Sequence, residues 1–271
     1  MSAVQSTPEV AVIGGTGFYT FLDDVREVEV DTPYGPPSAP VAVGTVPTED
    51  GPRAVAFLPR HGQGHRFPAH SVPYRANLWA LRSLGVRQVL APCAVGGLQP
   101  ELGPGTLVVP DQLVDRTTTR TQTYYDHGAV HVSFADPYCP RLRSALIDGA
   151  PGEAVDGGTL VVIDGPRFST RAESQWYSRE GWSVIGMTGH PEAILARELA
   201  LCYATVALVT DLDAGVEAAE AVSHQEVLRV FAEHLGGLRD ALRDVVGTLG
   251  TDRACDCPHA LDGLDLPFAL P

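Results

Sequence analysis

The stretch "ALVTDLDAG", residues 207–215, places two carboxylates, Asp211 and Asp213, one residue apart at the end of an apolar run. Alternate residues of a strand share a face, so each acid raises the cost of ionising the other. A carboxyl kept protonated in this way can act as a general acid. Asp and Gly also end strands, so the pair reads equally as a turn that caps the next helix. A second stretch, "LPRHGQGHRFPAH" at 58–70, joins Arg60, a planar fork of donors suited to phosphate, to His61, a donor adjustable near neutral pH. The alternative is a charged, solvated turn. A metal face from His61 and His65 would need a helix, which Gly62 and Gly64 oppose. In a third stretch, "VIGGTG" at 12–17, backbone amides and the Thr16 hydroxyl can close around an anion after a strand. The dinucleotide fingerprint fails there, because Thr20 stands where its last glycine belongs, and no Gly-Lys-Ser/Thr follows to make a P-loop. A site for a smaller anion remains, or an ordinary glycine turn.

These residues need a scaffold, and the pattern supplies an α/β one. Short β-rich runs at 10–15, 41–46, 54–60, 86–93, 106–114, 159–165, 183–187 and 204–211 are bounded by Gly, Pro or Asp. Helical stretches lie between them. One covers 74–84 after Pro73; a second covers 172–179, where Thr170 and Glu173 can form a capping box. A third covers 191–203, and a fourth 223–249, opened by "SHQE" with a capping box expected from Ser223 and Glu226. The order implies one layered domain over 1–271, with a core at about 10–250 and a C-terminal tail at 251–271. The proline-rich loop 31–40 and the irregular segment 116–134 are long enough to be functional.

Composition excludes several classes. A formal charge of −14 argues against a broad polyanion-binding face, hence against nucleic acid as a partner. No apolar run reaches the roughly 18 residues of a membrane span, and the first residues lack the marks of a signal peptide, so a soluble, cytoplasmic chain is expected. All 19 basic residues are arginine, which removes Schiff-base lysine chemistry. Five cysteines do not form a disulfide pattern. Cys255, Cys257 and His259 make a possible metal trio, but zinc wants a fourth ligand and wider spacing, so no metal site is expected.

The blocks "VIGGTGF", "PRHGQGH", "VPYRANLWAL", "CAVGG", "GPGTLVVPDQLVDRTT", "FADPYCP", "DGPRFSTRAE", "GMTGHPEAILARE" and "TDLDAG", in this order, resemble the trimeric purine nucleoside phosphorylases, most closely their methylthioadenosine phosphorylase branch. The resemblance covers about residues 10–245. It implies a single-domain three-layer α/β/α sandwich with a mixed, partly barrelled central sheet, and three chains per oligomer. It also implies phosphorolysis: orthophosphate, as co-substrate, attacks C1′ of a purine nucleoside, with no cofactor. Carried over by position, Thr16, Arg60, His61, Ala94 and Thr188 would hold phosphate. Met187 would lie against the ribose and Phe168 against the purine. His131 would reach a neighbouring chain's site near the 5′ end of the nucleoside. Asp211, Asp213 and His61 would be the catalytic groups.

Two positions speak to the base. The 6-oxopurine branch has Asn after the Thr and a Glu in the "GPxFE" block, whereas this chain has Thr210-Asp211 and Ser169, which implies adenine. Two departures qualify the match. Cys93 replaces a hydroxyl residue of the phosphate site. His224 stands where the methylthioadenosine branch tends to be apolar and where enzymes with a 5′-hydroxyl substrate have histidine. The pocket around His224 and Val227 would then accept adenosine as well as methylthioadenosine, unless His224 only faces solvent. The alternatives are a 6-oxopurine nucleoside phosphorylase and a non-catalytic purine-binding protein.

Overall fold

The structure is a computed structural model that describes residues 7–15, 22–49, 51–216 and 223–271. From the N-terminus run β1 (Val10–Gly14), β2 (Asp23–Val28), β3 (Val41–Val46), β4 (Arg53–Pro59), α1 (Tyr74–Ser83), β5 (Gln88–Leu90) and β6 (Cys93–Gly97). There follow β7 (Leu107–Val109), β8 (Gln112–Asp115), α2 (Pro140–Asp148), β9 (Val155–Asp156), β10 (Thr159–Val162), α3 (Arg171–Arg179) and β11 (Val184–Gly186). The described chain then forms α4 (Gly189–Glu198), β12 (Cys202–Ala204), β13 (Ala207–Leu212) and α5 (His224–Thr248).

Six strands form one sheet in the order β12-β5-β1-β4-β3-β2. Every residue of β1, "VAVIG", is buried, and its alternating side chains serve two cores. Val10 and Val12 join the α2 and α5 side, with Leu142, Leu146, Leu238 and Leu242. Ala11 and Ile13 join the α1 and α4 side, with Leu78, Leu81, Leu195 and Leu199. A strand covered on both faces is an unbroken apolar run, and each large aliphatic side chain so buried contributes about 1.5–3 kcal/mol. This is the α/β/α sandwich that the family resemblance implies.

The remaining seven strands form a second sheet, β8-β10-β11-β6-β13-β7-β9. The two sheets are continuous through paired chains. Ala91 N–H donates to Ala204 O at 2.9 Å and Cys93 N–H to Val206 O at 3.0 Å, so β5 passes into β6 alongside β12 passing into β13. The combined sheet curls around Val95, Val108, Leu160, Val162, Val184, Ala207 and Val209, which is its barrelled part.

The expected strands 86–93 and 106–114 each divide in two, because Pro92 and Pro110 have no N–H to offer a ladder. The expected helix 191–203 stops at Glu198. Ala200 takes a left-handed φ of 50°, and the apolar run beyond it becomes β12, a short buried strand that periodicity cannot separate from a helix. The α3 capping box forms, with Glu173 N–H donating to Thr170 Oγ1 and Thr170 N–H to Glu173. The box expected at Ser223 and Glu226 does not form: Ser223 makes no side-chain cap bond, and Glu226 turns to Arg229. Pro73 precedes α1 rather than opening it. Helix α2 is an addition signalled only by Pro140 at its start, and β2, "DDVREV", is an exposed edge strand whose charges hide it from an apolar pattern. Among the described residues no helix is long and apolar enough to cross a membrane.

Candidate functional site

Strands β1, β4, β5 and β12 are parallel, with Val12 beside Leu90 and Gly14 beside Pro59. Their carboxyl ends therefore meet, at the position where an open parallel sheet binds ligands. Arg60 is the first residue beyond β4, its N–H held by Gly14 O at 2.9 Å. Arg60 is 2% exposed and its guanidinium faces Glu192 of α4, with Nε 2.8 Å from Oε2 and Nη2 2.9 Å from Oε1. Nη2 also donates to Ile13 O and Nη1 to Pro92 O. Burial by itself would lower the Arg60 pKa, but the Glu192 carboxylate reverses this and holds it above the usual range. Arg60 thus differs from the free fork expected of it. Four of its five N–H groups are engaged, and among the described residues the second N–H on Nη1 has no partner. A second layer fixes its backbone: Ser38 Oγ donates to Arg60 O at 2.7 Å, and Asn77 bonds both Ser38 N–H and Oγ. Loop 31–40 is a support for Arg60.

His61 has Nδ1 2.9 Å from Phe67 O, which assigns the ring proton to Nδ1 and leaves Nε2 as an acceptor. Its ring stacks on His65 at 4.2 Å. Burial, followed by the charge of Arg60, pushes its pKa down to about 4, so the imidazole is neutral at pH 7 rather than poised near neutrality. Gly62 lets the loop return. It has φ +71°, and a Cβ there would lie 2.8 Å from Ser38 O. Thr188 precedes α4 and its side chain makes no cap bond; His190, with φ −123° and ψ 134°, breaks the first turn, so the regular helix starts beyond it. Ala94 is exposed on β6, two residues beyond the Pro92 carbonyl that meets Arg60. Thr16 lies outside the described residues.

The acids occupy the other end of β6. Opposite β13, Val95 pairs with Val209 and Gly96 with Asp211, so Thr210 is the extra residue of a bulge. A Cβ on Gly96 would lie 3.3 Å from Asp211 Oδ1 and 3.3 Å from Asp213 Cβ, so both acids converge on that glycine. Burial, with Asp213 adding to it, raises the Asp211 pKa to about 6 against a hydrogen bond from Thr210. Asp213 is raised as well, chiefly by burial. Thr210 Oγ1 stands 2.9 Å from Asp211 Oδ2 and 3.2 Å from Val95 O. A hydroxyl has one proton, so both bonds form together when Asp211 carries a proton of its own.

Phe168 precedes Ser169 and exposes 37% of its surface, an unusual position for phenylalanine. Met187 is half-buried against Gly165, where a Cβ would come within 2.5 Å of its Sδ. Arg120 and Asp164 brace this loop: Arg120 Nη2 donates to Ile163 O and Asp164 O, and Thr118 and Thr119 bond the Asp164 carboxylate. Segment 116–134 therefore supports the site in this chain. Within it, His131 is exposed and away from regular structure. His224 is exposed at the start of α5 and Val227 is half-buried one turn later. No contact in the described residues ties these three to the acids. Glu192 was missed by sequence reasoning, although a lone acid amid Pro191, Ala193, Leu195 and Ala196 signals a buried charge that needs a partner.

From Pro92, just before β6, to Gly96 within it, the chain advances four residue steps, about 13 Å at the usual rise, with a guanidinium at one end and two protonatable carboxyls at the other. That polarity suits a ligand anionic at one end and a hydrogen-bonding heterocycle at the other. The profile described as the phosphorylase superfamily matches residues 9–245, and the chain belongs to that family. The chain is 61% identical over 277 residues to a purine nucleoside phosphorylase of Streptomyces coelicolor, with 97% of this chain and 98% of that one covered. It is 58% identical over 263 residues to an S-methyl-5'-thioadenosine phosphorylase of Mycolicibacterium smegmatis, covering 97% and 99%. A methylthioadenosine phosphorylase from Schistosoma mansoni, solved with adenine, superposes with a TM-score of 0.84 at 37% identity, covering 90% of this chain and 93% of that one.

Proposed function

We propose that the protein is a pentosyltransferase that cleaves the N-glycosidic bond of 6-aminopurine nucleosides with orthophosphate, releasing adenine and a pentose 1-phosphate. The observation that carries this reading is the convergence of Asp211 and Asp213 over Gly96, with the Asp211 pKa pushed up to about 6. As the C1′–N9 bond breaks, its electron pair moves onto the purine and C1′ gains positive charge. A phosphate oxygen then closes the new C1′–O bond. Protonated Asp211 donates to N7 and so neutralises the leaving base, while the pair accepts from the exocyclic amine. Facing a 6-oxopurine, an ionised Asp211 would meet O6 acceptor to acceptor, at a cost of about 1–3 kcal/mol.

At the other end, the remaining Arg60 N–H, the Thr188 hydroxyl, Ala94 and Thr16 would hold phosphate. Neutral His61 would accept from a protonated phosphate oxygen at Nε2. Phe168 offers its exposed ring face to the purine and Met187 its thioether to the ribose. No cofactor enters the step. S-methyl-5'-thioadenosine is the leading substrate and adenosine the second, His224 and Val227 deciding between them. In a homotrimer, His131 would complete a neighbouring site. The names of the relatives support the reaction class and divide on the substrate, so the acid pair decides the base. The test is release of free base from methylthioadenosine, adenosine, inosine and methylthioinosine, each with and without phosphate. Preference for inosine would move the assignment to 6-oxopurines, and phosphate-independent release would reject phosphorolysis.

A further inference from the structure

Four cysteines from three distant parts of the chain meet at the amino end of β12, on the face of the six-stranded sheet that α2 and α5 cover. Cys139 is the N-cap residue of α2, Cys202 opens the edge strand β12, and Cys255 and Cys257 belong to the C-terminal segment. Their four sulfur atoms all lie within 4.8 Å of one another. Cys255 Sγ is 3.5 Å from Cys202 Sγ and 3.7 Å from Cys139 Sγ. A tetrahedron of thiolates around zinc, with Zn–S near 2.3 Å, has edges of about 3.8 Å. A disulfide requires about 2.05 Å, and Cys255 stands almost equally near two partners, so no pair is singled out.

The sequence trio Cys255, Cys257 and His259 is corrected by the fold. His259 turns away to Asp262, 2.9 Å from its Nδ1, and Cys139 and Cys202 take the vacant places in the set. Cys139, Cys202 and Cys257 are buried at 1%, 0% and 4% exposure, and Cys255 is half-buried. The backbone already holds them: Cys139 N–H donates to Tyr203 O at 2.8 Å and Cys202 N–H to Arg87 O at 2.9 Å. Nearby, Arg253 Nη1 bonds Ala200 O and Gln88 bonds Gly250 O, which lays the tail along the sheet edge. Both Cys255 and Cys257 lie beyond the residues that the phosphorylase profile matches.

We propose that Cys139, Cys202, Cys255 and Cys257 form a tetrathiolate site for a structural zinc ion, which clamps the C-terminal segment onto edge strand β12. An all-sulfur tetrahedron selects a soft, tetrahedral ion over magnesium or calcium. Binding exchanges four thiol protons for one Zn²⁺: four Cys–SH and Zn²⁺ give Zn(Cys–S)₄²⁻ and four H⁺, with no change of oxidation state. Joining residues 53 and 116 positions apart, the ion would stabilise the fold.

The experiment uses the full chain purified under thiol-protecting conditions without chelator. Elemental analysis should give one zinc per chain, and an organomercurial should release that zinc as the thiols react. Protein produced in cobalt-supplemented medium should show the intense visible bands of a tetrahedral thiolate site. Cys255→Ser with Cys257→Ser should lose the metal and lower Tm, whereas Cys93→Ser should retain it. If the double variant does not fold, the elemental and cobalt measurements on the unaltered chain decide the matter. Four free thiols with no metal would overturn the proposal, as would disulfides in a non-reduced peptide map.

Discussion

At the residue scale, Asp211 joins structure to chemistry. Its pKa is pushed up to about 6 by burial, above the roughly 3.9 of an unfolded chain, so protonation favours the fold. That contribution is complete below pH about 4 and is lost as pH rises through about 6. In the proposed reaction the same proton is the one donated to N7. We therefore expect kcat/KM for adenine nucleosides, at saturating phosphate, to fall as pH rises through about 6. Asp211→Asn should remove that limb and lower turnover by about 10²- to 10⁴-fold, the usual range for a general acid, while shifting preference toward 6-oxopurines. An unchanged profile in the variant would reduce Asp211 to a turn residue. Arg60 calls for a different experiment from the one its sequence suggests. Arg60→Ala leaves Glu192 buried without its partner, at about 3–5 kcal/mol. Its phosphate effect must be read beside a melting curve, where a large fall in Tm is expected. For His224, exposed at the start of α5, the substrate crossover is the test. His224→Val should lower kcat/KM for adenosine about fivefold, the value of one hydrogen bond, and leave methylthioadenosine unchanged or improved. Equal responses would place His224 on the surface.

At the element scale, the site depends on how strands end. The bulge at Thr210 brings both acids over Gly96, and the break at Pro92 separates β5 from β6, the strand that runs from the Arg60 end of the candidate site to the acids. The Thr170–Glu173 box anchors the start of α3 directly after Phe168 and Ser169. Thr170→Ala should cost about 1 kcal/mol of stability and raise KM for the nucleoside more than it alters kcat, as read by denaturant titration and kinetics. Much of this was legible. The apolar runs, the glycine and proline boundaries, the α3 cap and the acid pair follow from local rules. The division of strands at Pro92 and Pro110 followed from the same rules but was hidden by continuous hydrophobicity. The end of α4 and the uncapped Ser223 were not legible, since each depends on partners remote in sequence. Glu192 shows the same limit: its charge is visible at residue 192, but its partner is 132 residues earlier.

At the scale of the whole molecule, the sandwich buries β1 on both faces and leaves the carboxyl ends of its parallel strands to form the site, while the cysteine cluster fastens the tail to the edge. Exposed His131 belongs to the trimer reading. Light scattering should give three times the 28.8 kDa of one chain. Coexpressing Asp211→Asn chains with His131→Ala chains should restore part of the activity that each lacks alone, because mixed trimers contain sites with an intact Asp211 and an intact neighbouring His131. Absence of rescue in a verified mixed trimer would confine the site to one chain. The central claim is phosphorolysis of adenine nucleosides, and the most direct measurement is base release from methylthioadenosine and inosine, each with and without orthophosphate. The account predicts adenine and a pentose 1-phosphate in equal amounts, only when phosphate is present, with inosine a poor substrate. Release without phosphate, or a preference for inosine, would contradict it.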